Sequence, residues 1–221
     1  MKIFLDTANL EEIRKYAEMG LIDGVTTNPA LVAREGADFR EVVSEICTII
    51  DGPVSAEVVS TDANTMIKEA RLISKLHKNI VVKLPAIPDG FTALKTCSSE
   101  GIKTNFTLVY TVTQALMAGK LGATYVSPFV GRMEATSTGG SQLIRDIIQI
   151  YKNYEFNTKV LAASMRNIIY VREAALAGSH VATIPPEVLN DMLWSELSDS
   201  ALKGFLEEWN KLSEDKRSYF N

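Results

Sequence analysis

The most constraining feature of the sequence is an eightfold alternation between short apolar segments and longer stretches whose apolar residues repeat at helical spacing. The short segments, rich in Val, Ile and Leu, are typical of strands buried on both faces. The predicted strands are 3–5, 22–25, 54–58, 79–85, 102–107, 123–129, 158–163 and 180–184. Eight strand–helix units with parallel crossovers predict an α/β fold, the (β/α)8 TIM barrel.

The competing architecture is a doubly wound open sheet. No glycine-rich fingerprint follows the first strand, so the barrel is favoured. No linker rich in Pro, Gly or Ser divides the 221 residues, so a single domain, 1–221, is expected. Residues 186–212 read as two helices, and a C-terminal helical tail at about 198–214 is predicted as an addition to the barrel.

Composition excludes several classes of function. The net charge of -4 gives no electrostatic reason to expect binding to nucleic acid or to an anionic membrane. No apolar stretch approaches the ~20 residues of a membrane span, and the first residues lack a signal-peptide pattern, so a cytoplasmic protein is expected. Cys47 and Cys97 have no metal or redox spacing and are expected to be buried thiols.

Lys83 interrupts an otherwise apolar strand. Burying an ammonium is costly, which favours the neutral amine, and a neutral amine can attack a carbonyl and form a Schiff base. On this stretch alone the alternative, a strand-end lysine that extends its head into water, stays open. Val81, Lys83 and Pro85 share one face of the strand, which is consistent with a side chain that points into the barrel mouth.

Polar residues stand at seven consecutive predicted strand ends, where a barrel of this class builds its catalytic face. They are Asp6, Thr26, Asn28, Glu57, Lys83, Asn105, Thr107, Ser127, Arg132, Ser164 and Arg166; the eighth strand adds only Thr183. Taken singly, each has a structural explanation, such as a helix cap, an Asx turn or a surface arginine. Together, one amine with carboxylates, amides, hydroxyls and guanidiniums predicts a site for a phosphorylated polyhydroxy compound.

Six segments in order resemble the small transaldolases, a branch of the class I aldolase barrels that includes the fructose-6-phosphate aldolases. The resemblance runs essentially from end to end. It rests on Phe4-Leu5-Asp6-Thr7-Ala8, Gly24-Val25-Thr26-Thr27-Asn28-Pro29, Val82-Lys83-Leu84-Pro85, Thr104-Asn105-Phe106-Thr107-Leu108, Ser127-Pro128-Phe129-Val130-Gly131-Arg132 and Ala163-Ser164-Met165-Arg166.

The resemblance implies catalytic roles for Lys83, Asp6, Glu57 and Thr107. Lys83 is implied to form the Schiff base, Asp6 to move the proton of the C4 hydroxyl, and Glu57 with Thr107 to hold a proton-shuttling water. The implied substrate-binding residues are Thr26, Asn28, Asn105, Ser127, Phe129, Arg132, Ser164 and Arg166. No metal or other cofactor is implied, and His77, in a predicted helix, and His180 are expected to be structural.

The two branches of the family differ at a few positions. The aldolases carry Gln and Tyr where this chain has Glu57 and Phe129, and usually Lys in place of Arg166. The resemblance thus implies a transaldolase of the pentose phosphate pathway. It would transfer dihydroxyacetone between sedoheptulose 7-phosphate and glyceraldehyde 3-phosphate, giving erythrose 4-phosphate and fructose 6-phosphate. The alternative is an aldolase that releases free dihydroxyacetone. Where the family commonly has an aspartate-rich stretch, this chain has residues 134–140, which are not rich in aspartate. This difference affects what the resemblance implies about the preferred acceptor.

Two alternative functions fit the sequence less well. A deoxyribose-phosphate aldolase places a second lysine beside the reactive one, and no second lysine stands at a neighbouring predicted strand end. If the barrel served only for binding or assembly, the polar residues at the strand ends would be expected to be lost, yet Asp6, Glu57 and Lys83 are present. The resemblance also implies a homo-oligomer, a pentamer or decamer, in which the last helix packs on a neighbouring subunit.

Overall fold

Eight parallel strands close into a barrel in chain order, which confirms the predicted (β/α)8 fold. The structure is a computed structural model that describes residues 1–134, 139–213 and 216–217. The strands are β1 (Lys2–Asp6), β2 (Gly24–Thr26), β3 (Val54–Glu57), β4 (Ile80–Pro85), β5 (Thr104–Val109), β6 (Tyr125–Pro128), β7 (Lys159–Ala162) and β8 (Val181–Ile184).

Helices connect the strands and cover the outside of the barrel. Within the described residues they are α1 (Leu10–Glu18), α2 (Pro29–Glu35), α3 (Phe39–Ile49), α4 (Ala63–Ile73), α5 (Pro88–Ser99), α6 (Val112–Lys120), α7 (Val130–Glu134), α8 (Gly140–Asn153), α9 (Ile168–Leu176), α10 (Pro186–Leu193) and α11 (Glu196–Trp209). The two helices expected in 186–212 are α10 and α11. The predicted tail ends at residue 214, which lies outside the described residues.

Local sequence explains where many helices begin and end. Asp62 is the N-cap of α4, and its side chain accepts a hydrogen bond from Thr65 N at 2.9 Å. Gly101, Gly122 and Gly178 follow α5, α6 and α9 and adopt φ of 73°, 81° and 86°. Glycine reaches this left-handed region without a Cβ clash, so it closes a helix readily.

Three local expectations need correction. The sequence after Asn28 predicts one helical stretch up to about residue 50, but two helices form, because Gly36 ends α2 in the left-handed region and Asp38 caps α3. The Gly- and Thr-rich sequence after the sixth strand predicts a loop, but this segment begins with the short helix α7. His77 lies in the connection between α4 and β4 and not in a helix; its Nδ1 accepts a hydrogen bond from Asn79 N.

Two apolar layers hold the barrel. The larger one lies between the strands and the helices and contains Cys47 and Cys97, whose burial raises the pKa of each thiol to about 11. The smaller one fills the barrel interior with Phe4, Val81, Tyr125, Leu161, Ala163 and Val181. Gly24 leaves the space that the Phe4 ring occupies, because a Cβ at this position would lie 2.8 Å from a Phe4 ring carbon.

Strand register sets the polar layer above this interior core. Lys83 on β4 pairs with Glu57 on β3 and with Asn105 on β5, and Asp6 on β1 pairs with Thr26 on β2. Because alternate residues of a strand face the same side, Lys83 follows Val81 into the barrel. The register therefore places an amine, an amide and two carboxylates at the carboxyl end of the barrel.

Candidate active site

One cavity of about 200 Å³ at the carboxyl end of the barrel is lined by eleven of the twelve predicted site residues. These are Asp6, Thr26, Asn28, Lys83, Asn105, Thr107, Ser127, Phe129, Arg132, Ser164 and Arg166. Glu57, the twelfth, does not line this cavity; it lines a separate, mainly apolar cavity of about 490 Å³ beside α2, α3 and α4. Glu57 nevertheless reaches Lys83, so it belongs to the same cluster of charges.

The Lys83 side chain is buried, with 6% of the residue exposed. Its Nζ donates a hydrogen bond to the Thr27 carbonyl oxygen at 3.1 Å and lies 3.1 Å from Glu57 Oε2. The alternative of a lysine that extends into water is therefore wrong for this structure. The surroundings are not the apolar ones that the strand sequence suggested, because register brings a carboxylate to the amine.

Asp6 is the second carboxylate, and its Oδ1 accepts a hydrogen bond from Thr26 Oγ1 at 2.6 Å. Burial raises the pKa of the Asp6 carboxyl above its ordinary value, more than the charge of Lys83 and the Thr26 hydrogen bond lower it. Glu187, on α10, also raises this pKa. A carboxyl that takes up a proton more readily than usual, next to an amine in a cavity, is suited to general acid–base chemistry.

A buried chain of side chains orients the Asn105 amide. Ser127 Oγ donates to Asn105 Oδ1 at 2.6 Å, and Asn105 Nδ2 donates to Ser55 Oγ at 3.2 Å. Among the described residues one of the two amide hydrogens is thus engaged, and the other is available to a ligand. Ser55 was not predicted, although it shares a strand face with Glu57 two residues later, a signal that could have identified it.

Thr107 and Asn28 also reach the cavity, but in different ways. Thr107 Oγ1 is buried and has no hydrogen-bond partner among the described residues, so it is a free polar atom in the wall of the cavity. It lies at a bulge in β5, where the pairing with β6 shifts and Leu108 adopts a φ of 59°. Asn28 has a structural role as well, because its Oδ1 caps α2 by accepting from Leu31 N at 3.0 Å.

Arginines form the positively charged side of the cavity. Arg132 Nη1 donates to the Tyr110 hydroxyl at 3.3 Å, and its guanidinium lies 5.6 Å from the centre of the Phe129 ring. Ser164, in the left-handed region with φ of 62°, approaches α7 so closely that a Cβ on Gly131 would lie 1.9 Å from the Ser164 carbonyl oxygen. Only glycine fits at this contact. Two guanidiniums and a hydroxyl at one side are suited to a phosphate group.

Tyr110, Gly131 and Thr183 are further residues of this region that the predicted site did not include. Thr183 lines the cavity from β8. Gly131 lies within a segment that resembles the family, and Tyr110 lies shortly after another. Their contacts, with Phe129 and with Ser164, depend on how the chain folds around α7. Residues 134–140 were noted above because they differ from an aspartate-rich stretch common in the family. Of these, residues 135–138 lie outside the described residues.

Fold and site together define a (β/α)8 barrel with a buried amine–carboxylate centre and a cationic rim. The family model for "Transaldolase/Fructose-6-phosphate aldolase" matches residues 3–219, and the chain belongs to this family. A probable transaldolase of Thermoanaerobacter sp. (strain X514) is 53% identical over 211 residues, which is 96% of this chain and 98% of the relative. A probable transaldolase of Caldicellulosiruptor saccharolyticus is 52% identical over 213 residues, with coverage of 96% and 98%.

A third similar protein, a probable transaldolase of Desulforapulum autotrophicum, is 50% identical over 211 residues, again with coverage of 96% and 98%. Membership of this family implies that the substrates are sugar phosphates. Within the described residues, no helix is both long enough and apolar enough to cross a bilayer.

Proposed function

We propose that this protein is a transaldolase that transfers a dihydroxyacetone unit from sedoheptulose 7-phosphate to glyceraldehyde 3-phosphate through a Schiff base on Lys83. The observation that carries the proposal is a buried lysine in a cavity, with Glu57 at 3.1 Å and the charge of Lys83 acting on Asp6. We place the reaction in the pentose phosphate pathway of the cytoplasm.

In the first half of the reaction, the Lys83 ammonium gives a proton to Glu57, 3.1 Å away, and the resulting neutral amine attacks the C2 carbonyl of the ketose phosphate. The carbinolamine loses water and becomes an iminium. Asp6 removes the proton of the C4 hydroxyl, the C3–C4 bond breaks, and its electron pair moves to the iminium to give an enamine. Erythrose 4-phosphate leaves as the aldehyde. Glu57 and the free Thr107 hydroxyl hold the water that exchanges protons while the carbinolamine forms and dehydrates.

In the second half the enamine carbon attacks the aldehyde carbon of glyceraldehyde 3-phosphate, and a new C3–C4 bond forms. Asp6 returns its proton to the C4 oxygen, and water then hydrolyses the iminium to release fructose 6-phosphate and free Lys83. The iminium is a cation at the former position of the ammonium. The two carboxylates therefore face a positive charge both in the resting enzyme and in the covalent intermediate, which is electrostatic preorganisation.

The remaining residues hold the substrate. Asn28, Asn105 and Ser127 bind the hydroxyls of the three-carbon enamine, and Thr26 supports Asp6. Arg132, Arg166 and Ser164 bind the phosphate. Guanidinium groups pair with phosphate oxygens in two-pronged geometry, and the contact between Gly131 and Ser164 keeps these groups together. The deoxyribose-phosphate aldolase alternative is disfavoured, because Lys83 is the one lysine among the described residues that line the cavity.

Phe129 decides between transfer and simple cleavage in this proposal. A phenyl ring has no hydroxyl with which to activate water, so the enamine persists until an acceptor aldehyde arrives. The alternative function is a fructose-6-phosphate aldolase that releases free dihydroxyacetone. The name of the matching family includes both activities.

Trapping tests the covalent step. Fructose 6-phosphate and borohydride are added, and peptides are mapped by mass spectrometry. We expect the three-carbon or sugar adduct on Lys83 and no adduct in K83M. K103M is the matched control, because Lys103 is an exposed residue that precedes β5, at the other end of the barrel, and its loss should leave labelling intact. An adduct elsewhere, or none, would contradict the mechanism.

A product assay separates the two activities. Fructose 6-phosphate is supplied with and without erythrose 4-phosphate, and sedoheptulose 7-phosphate and free dihydroxyacetone are measured. We expect sedoheptulose 7-phosphate only with the acceptor and little dihydroxyacetone without it. F129Y, which adds only a hydroxyl, should release more dihydroxyacetone. Ready release by the wild type would favour the aldolase and leave the Schiff base intact.

We also propose that residues 1–221 form one domain that assembles into a homo-oligomer, a pentamer or decamer, through α11. None of the residues of α11 is buried, and Leu197 and Phe205 are 82% and 72% exposed. An apolar helix face without cover in one chain is suited to packing on a neighbouring subunit. Deleting the chain from Ser198 onward should yield smaller species in light scattering, and an unchanged mass would contradict packing through this helix.

A further inference from the structure

Thr183 stands at the end of a chain of short hydrogen bonds that leads to Asp6. The Thr183 hydroxyl oxygen lies 2.6 Å from Thr26 Oγ1, which in turn lies 2.6 Å from Asp6 Oδ1. Thr183 is 3% exposed and lines the cavity. The chain arises because β1 is flanked by β2 on one side and by β8 on the other.

Counting hydrogens gives this chain a direction. A hydroxyl has one hydrogen, and Thr26 donates its hydrogen to the Asp6 carboxylate, which can only accept. In the contact between the two threonines, Thr183 is therefore the donor and Thr26 the acceptor. Asp6 Oδ1 is engaged by this chain, whereas no hydrogen bond engages Oδ2 within the described part of the protein. Oδ2 is thus the oxygen left to exchange a proton with substrate.

We infer that Thr183 is a positioning residue that acts through Thr26: it aims the Thr26 hydroxyl at Asp6 Oδ1 and so sets the basicity of Asp6 and the oxygen that it uses. The inference rests on the proposed function, in which Asp6 moves the proton of the C4 hydroxyl. Hydrogen bonds in a chain polarise one another, so a donor behind Thr26 strengthens the bond that Thr26 makes to the carboxylate.

Burial and three neighbouring groups shift the pKa of Asp6. Burial of Asp6 and the charge of Glu187 on α10 raise its pKa, and the charge of Lys83 on β4 and the hydrogen bond from Thr26 on β2 lower it. Thr183 on β8 contributes through Thr26 alone. Loss of the Thr183 hydroxyl therefore weakens one of the two contributions that favour the carboxylate, and the Asp6 pKa should move further upward.

The test is T183V, which keeps a β-branched side chain of similar shape in β8 and removes the hydroxyl. We expect the acid limb of the pH profile of kcat/KM to move to higher pH by about half a unit, with kcat lowered about threefold and KM nearly unchanged. T183S restores the hydroxyl and should restore the profile. T183A is a second hydroxyl-free variant in case T183V folds poorly.

A matched control is T104V. Thr104 is also a buried strand threonine, but its hydroxyl has no hydrogen-bond partner among the described residues, and it does not line the cavity. Its replacement removes no polar contact, so the pH profile should be unchanged.

A double-mutant cycle tests whether Thr183 acts through Thr26. T26V should shift the acid limb more than T183V, and T26V/T183V should equal T26V, because the second change removes a donor that no longer has a role. Additive effects would overturn the inference and would assign Thr183 a direct contact with substrate. An acid limb in T183V identical to that of the wild type would overturn it as well.

A second readout does not depend on catalysis. The titration of the Asp6 carboxyl can be followed by 13C NMR of labelled aspartate, with its signal assigned by its absence in D6N. An upward shift of the Asp6 pKa in T183V supports the hydrogen-bond chain from Thr183 to Asp6. This result would stand even if borohydride traps no Schiff base, and only the proposed function would then fail. Equal titration curves for T183V and the wild type would overturn the inference whatever the activity.

Discussion

Replacing Lys83 with methionine removes a cation that faces two carboxylates and keeps the length of its apolar stem. Lys83 Nζ lies 3.1 Å from Glu57 Oε2, and its charge lowers the pKa of Asp6. At an effective dielectric constant of about 20, two unit charges at this separation attract by about 5 kcal/mol. Desolvation of the ammonium offsets part of this attraction, so we expect K83M to lower the free energy of unfolding at pH 7 by about 3 kcal/mol.

Urea denaturation of K83M and the wild type at pH 7 and at acid pH measures this loss. Protonation removes the charge of the carboxylates, so the difference in the free energy of unfolding should shrink as the pH falls. At pH 7, E57Q should recover part of the stability in the K83M background, because it removes one uncompensated carboxylate. Equal stability of K83M and the wild type at pH 7, or a loss that does not depend on pH, would refute the electrostatic argument.

Three further changes test other parts of the site. The raised pKa of Asp6 means that the folded protein binds a proton more tightly than the unfolded chain, so stability falls as the pH rises through the raised pKa. D6N should therefore be inactive yet melt higher than the wild type at pH 7, by about 2–4 °C per kcal/mol, with no difference at low pH. S55A removes the acceptor of the buried Asn105 amide and should cost about 1–3 kcal/mol in urea denaturation and lower kcat/KM; equal stability would show that the amide reorients. G131A forces a Cβ against the Ser164 carbonyl and should raise the KM for fructose 6-phosphate by about tenfold or more, because the groups proposed to bind phosphate move apart; an unchanged KM would contradict the proposed role.

Much of the fold follows from features that a single segment carries. The eight apolar strands and the helical spacing between them predicted the barrel, because each pattern reflects which face of an element is buried. Gly101, Gly122 and Gly178 follow the ends of helices because a glycine backbone reaches the left-handed region readily. Element bounds were less predictable: Gly36 divides a stretch whose apolar spacing continues into α3, and α7 forms in a segment that reads as a loop.

The polar site was predictable to the extent that strand ends converge in a barrel. Eleven of the predicted residues line the cavity, since the fold brings every strand end to one face. Their partners were harder to predict. Ser55 shares a strand face with Glu57 and Thr183 lies near the end of the eighth strand, but their hydrogen-bond partners depend on which strands are neighbours and in which register.

By itself, the sequence determined the barrel, the lysine in its fourth strand and the set of polar groups at the strand ends, because periodicity and residue type are local properties of the chain. Only the tertiary structure decided how those groups act on one another. Register placed Glu57 beside Lys83, closure of the barrel brought Thr183 on the last strand to Thr26 on the second, and burial raised the pKa of Asp6. These are distances and dielectric surroundings between residues far apart in the chain, and they exist only once the strands have closed.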